Sequence, residues 1–231
     1  APFGDLDSAE HLIDRETAGV IIEPIQSMAG VNEATPEYFS GLREICDRNG
    51  AMLIFDEVQT GVGRTGNWFF AGSDLAAGAV PDVVTLAKSL GSGVPVGACL
   101  VNERVSSSIA LNDLGTTFGG GMIAMAAVLA TLEAIEDEDM LTNARLVEER
   151  LRDSLGGVPG VVRLRGKGCL LGIEFDSPCK PKYEAFLESG VITGTSSNPN
   201  VLRLLPPLCV DADIAAHAIA DVLRKPFNVV T

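Results

Sequence analysis

The sequence predicts an α/β fold with a mostly parallel sheet, followed by a small α+β domain. Short unbroken apolar runs at residues 18–22, 51–55 and 83–86 are typical of strands buried on both faces of a parallel sheet. Between the first two runs, residues 36–49 carry apolar side chains three and four positions apart and are followed by Gly50, which indicates an amphipathic helix. The order strand, helix, strand therefore favours an α/β architecture.

Beyond residue 118 the pattern changes. A glycine run at 119–121 precedes an almost wholly apolar segment at 122–135, which we expect to form a buried helix. A helix at 140–155 carries its charges on one face. The remaining predicted elements are strands at 161–165, 169–175 and 201–205 and helices at 180–189 and 211–223. We therefore predict one domain over residues 1–139 and a small C-terminal domain over residues 140–231.

The composition excludes several classes of protein. Of the 231 residues, 46% are hydrophobic and 21% are charged, which argues against a disordered or fibrous chain. The net charge of −14 argues against nucleic acid and anionic membrane as partners, and no apolar run is long enough to span a membrane. Five widely spaced cysteines and two histidines argue against a disulfide framework, a metal site or a histidine triad. We expect reduced thiols in a cytoplasmic protein.

Each of the first three predicted strands ends at a polar residue, and these residues are Glu23, Asp56 and Lys88. Ligands of open α/β sheets bind outside the carboxyl ends of the strands, so these residues are the first candidates for a site. Lys88 is the only lysine in residues 1–166, and a desolvated lysine there would suit Schiff-base chemistry. The alternative is a lysine whose stem lies along an apolar domain edge.

Asp56 follows five apolar residues, so its charge requires a partner such as a buried cation or a protonated ring nitrogen. The alternative is a structural acid that caps the turn toward Gly61. Glu57 is expected to point to the opposite side of the strand.

Two other motifs are weighed and set aside. Residues 61–66, GVGRTG, match the dinucleotide-binding pattern, but the residues that follow are a poor helix start. Residues 53–57, LIFDE, look like the magnesium-holding strand of a nucleotidase. The phosphate-binding loop of that class is absent around Lys88, because Asp82 stands where its first glycine belongs.

Five ordered segments resemble class III aminotransferases, which are pyridoxal-phosphate enzymes of fold type I. The nearest likeness is to the acetylornithine and ornithine aminotransferase branch. The segments are EPIQ at 23–26, LIFDEVQTGVGRTG at 53–66, PDVVTLAKSLG at 81–91, GTTFGGG at 115–121 and LRLLPPL at 202–208. The resemblance spans nearly the whole chain and implies that residues 1–139 are the C-terminal part of a large domain that binds pyridoxal phosphate.

The resemblance implies roles for five residues at the cofactor. Lys88 would bind pyridoxal phosphate covalently and shuttle the substrate proton, while Asp56 would pair with the protonated ring nitrogen. Val58 would pack on the ring and Gln59 would bond near its hydroxyl group. Thr117 would reach the phosphate of the neighbouring subunit, which implies a homodimer with a shared active site.

For the substrate, the resemblance places Glu23 near the pocket and gives Arg203 the role of a bidentate clamp for a carboxylate. From the residues alone, the favoured interpretation of Arg203 is a surface arginine of the small domain. The ornithine-type relatives carry a glutamate that masks this arginine, at the position of Met28. We therefore expect Arg203 to stay free for carboxylates in both half-reactions, with substrates other than acetylornithine.

The expected function is transfer of an amino group between an amine or amino acid and a 2-oxo acid. The glycine-containing turn that grips the cofactor phosphate in this family, and the aromatic side chain that stacks on its ring, cannot be located in the sequence. The chain thus resembles the C-terminal portion of an aminotransferase, and we expect weak or no activity from it alone. The alternatives are a non-catalytic chain that only dimerises, or a pyridoxal-phosphate mutase or decarboxylase of the same fold.

Overall fold

The structure of the chain, a computed structural model, describes residues 1–225. Its strands are β1 (Gly19–Ile22), β2 (Ile25–Gln26), β3 (Asn32–Glu33), β4 (Met52–Asp56), β5 (Val83–Leu86), β6 (Ala98–Val101), β7 (Val161–Lys167), β8 (Leu170–Phe175) and β9 (Val201–Leu204). Its α-helices are α1 (Leu6–Leu12), α2 (Pro36–Asn49), α3 (Glu103–Ser106), α4 (Met122–Asp137), α5 (Met140–Leu155), α6 (Lys180–Glu188) and α7 (Ala212–Arg224). Short 3-10 helices include Lys88–Gly91.

The chain forms two compact units. The first comprises Ala1–Pro24, Ala34–Val62 and Asn67–Ala134. The second comprises Ile25–Glu33, Gly63–Gly66 and the described residues from Ile135 onward. The main division thus falls near residue 135, and two short segments from the N-terminal half belong to the second unit. The sequence pattern alone does not predict that these two segments belong to the second unit.

The first unit is built on a four-stranded sheet in the order β1-β4-β5-β6. The strands β1, β4 and β5 run parallel, with Ile22 opposite Phe55 and Asp56 opposite Thr85. The strand β6, which the sequence analysis did not predict, pairs antiparallel with β5. The predicted α/β class with a mostly parallel sheet is confirmed.

The helix α2 has the bounds that the sequence predicts, because both of its ends carry strong local signals. At its N-terminus the Thr35 hydroxyl accepts a hydrogen bond from the Tyr38 N–H, and Pro36 occupies the first turn. At its C-terminus Gly50 adopts the left-handed conformation, with φ at 76°. The buried face packs Phe39 against Phe55, with ring centroids 5.9 Å apart. This apolar contact fixes α2 on the sheet.

A buried carboxylate, Asp82, connects three parts of the first unit. It accepts hydrogen bonds from the Leu53 N–H on β4 at 2.8 Å, from Arg43 on α2 at 2.8 Å and from the Asn102 amide at 2.9 Å. Burial of Asp82 opposes its ionisation, but these hydrogen bonds and the charge of Arg43 outweigh burial and lower its pKa.

The second unit contains an antiparallel sheet in the order β7-β8-β9. The buried face of α5, which includes Val147 and Leu151, and the buried face of α7, which includes Ile219, contribute to its core. The β2–β3 hairpin also belongs to this unit, and the Glu33 carboxylate accepts a hydrogen bond from the Gly166 N–H of β7 at 2.7 Å. The second unit is therefore an α+β assembly that includes a distant hairpin.

The prediction that residues 122–135 form a buried helix is correct for the helix and wrong for its burial. In the first turns of α4, Met122 is 89% exposed and Ile123 is 81% exposed. The segment that precedes α4 is exposed as well. An apolar helix without a polar face gives no signal for which side packs inside its own chain. We define the apolar surface as the exposed residues Leu111, Leu114, Phe118, Met122 and Ile123.

Candidate active site

The three polar residues at the strand ends lie at one edge of the first unit's sheet. Glu23, which is half-buried, directly follows β1, Asp56 is the last residue of β4, and Lys88 lies two residues beyond β5. These strands are parallel neighbours, and adjacent strands are roughly 4.8 Å apart. The topology therefore brings two carboxylates and one amine to a single edge.

Asp56 is held through only one of its two carboxylate oxygens. Its Oδ1 accepts hydrogen bonds from the Thr85 hydroxyl at 3.0 Å and from the Val58 N–H at 3.2 Å. Within residues 1–225, none of the hydrogen bonds or ion pairs of Asp56 uses Oδ2. One oxygen is thus fixed in orientation, and the other remains available to a cationic group.

Sequence reasoning missed Thr85. It is a polar residue within an otherwise apolar strand, and the parallel register places it directly opposite Asp56. The hydroxyl group of Thr85 could have indicated a partner for Asp56. That inference requires the pairing of β4 with β5, which the sequence alone does not give.

The prediction that Lys88 is desolvated at a buried strand end is wrong, because Lys88 is exposed. The strand ends at Leu86, and the 3-10 turn that follows buries Leu90 and Gly91 instead. Lys88 itself has a φ of 47°, in the left-handed region that non-glycine residues seldom adopt. Such conformations cluster at functional sites, where the surrounding structure enforces them. The backbone of Lys88 therefore marks this turn as a functional candidate.

Glu57, next to Asp56, is a buried structural acid. Its buried carboxylate accepts hydrogen bonds from the N–H groups of Phe70 at 2.6 Å and Ala71 at 2.9 Å. Burial raises the pKa of Glu57, although these hydrogen bonds oppose the rise. Glu57 anchors the 3-10 segment around residue 70 and leaves Asp56 as the carboxylate at the site edge.

The remaining predicted cofactor residues lie in the same unit. Val58 and Gln59 follow β4 directly and are half-buried. Thr117 is exposed and stands beside Phe118 of the apolar surface. The cofactor roles of these three residues remain predictions.

Arg203 lies on β9 of the second unit and is half-buried. Its Nε donates to the Thr195 carbonyl at 2.7 Å, and its Nη1 donates to the Ser27 hydroxyl at 3.0 Å. Burial lowers the pKa of Arg203. No ion pair among the described residues involves this guanidinium group. The side chain of Arg203 is therefore fixed by hydrogen bonds to neutral acceptors and is not a freely solvated surface arginine.

The glycine motif at 61–66 serves packing in the second unit. Gly63 and Gly66 both have φ at 83°, and a Cβ atom on Gly66 would lie 2.6 Å from the Arg145 Cγ. The Arg64 Nη1 donates to the Pro206 carbonyl at 2.5 Å. The close approach favours glycine at position 66, and the positive φ values favour glycine at both positions.

Residues 1–225 contain no cluster of three or more histidine, cysteine or acidic side chains that could hold a metal ion. None of the helices in that range combines the length and apolarity needed to cross a membrane.

The profile of the family Aminotransferase class-III matches residues 3–225. The chain belongs to the class III aminotransferases. Similar curated relatives of this aminotransferase chain are the acetylornithine aminotransferases of Methanosarcina mazei, with 39% identity, and Corynebacterium efficiens, with 40% identity. Each alignment covers 97% of the chain, but only 55% and 56% of the respective relative. The chain thus spans about half the length of these relatives.

Solved structures of class III enzymes share the fold. Ornithine aminotransferase from Toxoplasma gondii matches with a TM-score of 0.86 and 30% identity, over 96% of this chain and 55% of that one. N-acetylornithine aminotransferase from Stenotrophomonas maltophilia matches with a TM-score of 0.83 and 30% identity, over 97% and 60%. The neighbours confirm fold type I. A second structure of the Toxoplasma enzyme has partial occupancy of pyridoxal phosphate at its active site, which indicates this molecule as the family's cofactor.

Proposed function

We propose that this class III aminotransferase chain takes part in pyridoxal-phosphate-dependent transfer of an amino group between an amine or amino acid and a 2-oxo acid. The observation that carries the proposal is the arrangement at the sheet edge. Asp56 offers its Oδ2 at the end of β4, and Lys88 stands on a strained turn after the neighbouring strand β5. When bound, pyridoxal phosphate supplies an electron sink for the carbanion at the substrate Cα.

The carboxylate of Asp56 suits a protonated ring nitrogen. Thr85 and Val58 fix its Oδ1, so that Oδ2 can keep a proton on the nitrogen of a bound pyridine ring. A carboxylate prepared in this way needs little reorganisation when it meets the cation, and a partly dry site strengthens the attraction.

The amine of Lys88 has two tasks in this proposal. It would hold the cofactor covalently in the resting state, and once the substrate amine has displaced it, its free Nζ would carry the proton that leaves the substrate Cα. The left-handed backbone at residue 88 supports this assignment, because strained conformations cluster at functional sites. Val58 and Gln59 would contact the cofactor ring from the loop after β4.

Arg203 is proposed as the receptor for a substrate carboxylate, with Glu23 near the substrate pocket. The guanidinium group keeps donors that the Ser27 and Thr195 contacts do not use, and bidentate binding of a carboxylate suits its geometry. Because Met28 stands where ornithine-type relatives carry a masking glutamate, we propose substrates other than acetylornithine.

We also propose a cytoplasmic homodimer in which Thr117 reaches the cofactor phosphate of the second subunit. The exposed apolar residues of this surface, which lie near Thr117 in the sequence, support a partner at this face, because a bound partner would shield them from water. All five cysteines are free thiols, which supports a reducing compartment.

Borohydride trapping tests the cofactor assignment. The chain is incubated with pyridoxal phosphate, reduced, digested and analysed by peptide mass spectrometry, with visible absorbance recorded before reduction. We expect a visible band and a label on Lys88. Lys88→Ala should lose both, and Asp56→Asn should weaken cofactor binding about tenfold or more. The matched control Lys180→Ala removes an exposed lysine and should leave both signals unchanged. Absence of label in the unaltered chain would contradict the proposal and favour a non-catalytic, dimerising chain.

A further inference from the structure

Within residues 1–225, the guanidinium group of Arg203 is held only by neutral groups. The Ser27 hydroxyl and the Thr195 carbonyl accept two of its hydrogen bonds. A guanidinium group has five N–H donors, so three remain. A partly desolvated cation without a counter-ion is unfavourable unless an anion can bind it. The surroundings of Arg203 therefore call for an anionic ligand rather than an internal ion pair.

Ser27 is a buried polar residue, and its hydroxyl accepts a hydrogen bond from Arg203. It is fully buried, and 176 positions in the sequence separate it from Arg203. Its backbone carbonyl accepts hydrogen bonds from the N–H groups of Gly30 and Val31, which close the turn between β2 and β3. The hydroxyl therefore projects from a tight turn rather than from a long mobile loop.

The hairpin that carries Ser27 is fixed to the sheet of the second unit. Arg165 on β7 donates to the Asn32 side chain at 2.9 Å, and Glu33 accepts from the Gly166 N–H at 2.7 Å. The Met28 carbonyl accepts a hydrogen bond from the Ser197 N–H at 2.8 Å, close to the segment that supplies Thr195. The Ser27 hairpin and the Thr195 segment, which this hydrogen bond joins to each other, thus meet at the guanidinium group of Arg203.

We propose that Ser27 is a positioning residue that orients Arg203 for a carboxylate in both half-reactions. This inference rests on the proposed aminotransferase function. A hydroxyl group fixes the guanidinium plane without neutralising its charge, whereas a carboxylate at the same place would compete with the substrate. Arg203 then receives the carboxylate of the amino donor as well as that of the 2-oxo acid. The amino donor is accordingly an amino acid and not a simple amine.

A binding titration tests the orientation directly. Glutarate, a dicarboxylate without an amino group, is titrated into the chain and into each variant by isothermal titration calorimetry. In the unaltered chain the Arg203 Nε–Hε NMR signal, assigned with Arg203→Lys, reports whether the bound glutarate contacts this guanidinium group. We expect saturable binding that Arg203→Ala abolishes. Ser27→Ala and Ser27→Gly should each weaken binding about tenfold, as loss of a hydrogen bond to a charged group does. The matched control Ser196→Ala removes a hydroxyl that bonds only to the carbonyls of Asn198 and Val201, and it should stay within twofold.

Steady-state kinetics of the active enzyme separate positioning from general structural damage. Ser27→Ala should raise the KM for the amino donor and for the 2-oxo acid about tenfold and change kcat less than twofold. Melting curves verify that the variants are folded, and Ser27→Gly provides a second variant that keeps the turn. Glutarate affinity within twofold of the unaltered chain in both Ser27 variants would overturn the inference. Unchanged affinity in Arg203→Ala would instead overturn the carboxylate role of Arg203 within the proposed function.

Discussion

Lys88 combines a reactive side chain with an unfavourable backbone conformation. Its φ of 47° costs a residue with a Cβ atom about 1–2 kcal/mol, whereas glycine adopts it freely. Part of that advantage is offset because glycine loses more backbone entropy on folding. We therefore predict that Lys88→Gly has a free energy of unfolding about 0.5–1 kcal/mol higher than Lys88→Ala, while neither variant transfers amino groups. Urea denaturation of both variants measures the difference, and equal stabilities would show that the turn is unstrained.

Glu174 on β8 should govern the acid sensitivity of the second unit. Hydrogen bonds from Arg165 and from Arg163, the latter at 2.6 Å, lower its pKa to about 2. Because the folded pKa lies below the ordinary value of 4.5, the stabilisation is fully present above pH 4.5. It is lost as the pH falls toward 2.

We predict that Glu174→Gln removes this pH dependence and lowers the free energy of unfolding at pH 7 by about 1–2 kcal/mol, allowing for solvent screening of a partly exposed group. Chemical denaturation between pH 2 and 7 is the measurement. The matched control is Glu184→Gln, which breaks an exposed pair with Lys180 at 4.0 Å and should retain the unaltered profile.

At the scale of single residues, the sequence predicts some of the candidate site residues and gives no signal for others. Lys88 and Asp56 are predicted because each follows an apolar strand and belongs to a family motif. The exposure of Lys88 was not predictable, since it depends on how the turn after Leu86 buries Leu90. The contact between Ser27 and Arg203 joins residues far apart in sequence, and no local pattern marks it.

Elements whose ends carry local signals were predicted well. The bounds of α2 and α5 agree with the sequence analysis, and α2 owes this to Thr35, Pro36 and Gly50. The two-residue strands β2 and β3 are too short for any periodicity, so the hairpin was missed. Residues 98–101 form an edge strand whose role depends on antiparallel pairing with β5. The exposure of α4 was missed because an all-apolar helix has no polar face to orient it.

Asp82 joins α2 to β4 through a buried carboxylate, and we expect this connection to contribute strongly to stability. Asp82→Asn removes the charge that Arg43 on α2 faces and leaves a buried guanidinium group without its partner. We predict a loss of about 2–4 kcal/mol in the free energy of unfolding. Asp47 pairs with the same arginine but is 62% exposed, so Asp47→Asn should cost less than about 0.5 kcal/mol. Thermal denaturation of both variants makes the comparison, and similar losses would show that burial of Asp82 is unimportant.

For the whole molecule, the apolar surface leads to a prediction about assembly. Phe118 and Met122 are 91% and 89% exposed, and a charge at either position would be buried in a dimer that covers this face. We predict that Phe118→Asp and Met122→Glu shift the chain from dimer to monomer in light scattering. Ile214→Asp, which alters a 68% exposed residue on α7, is the control and should remain dimeric. Dimers that persist in both surface variants would exclude this face as the interface.

The second unit is discontinuous in sequence, and this governs how it could be produced as a separate fragment. Its hairpin contributes Val31, which is fully buried and would lie 2.8 Å from a Cβ atom added to Gly172 on β8. A polypeptide that started at residue 135 would therefore leave part of its sheet unprotected and prone to aggregate. A usable fragment would have to carry residues 25–33 and 63–66 through engineered linkers, or receive them as separate peptides.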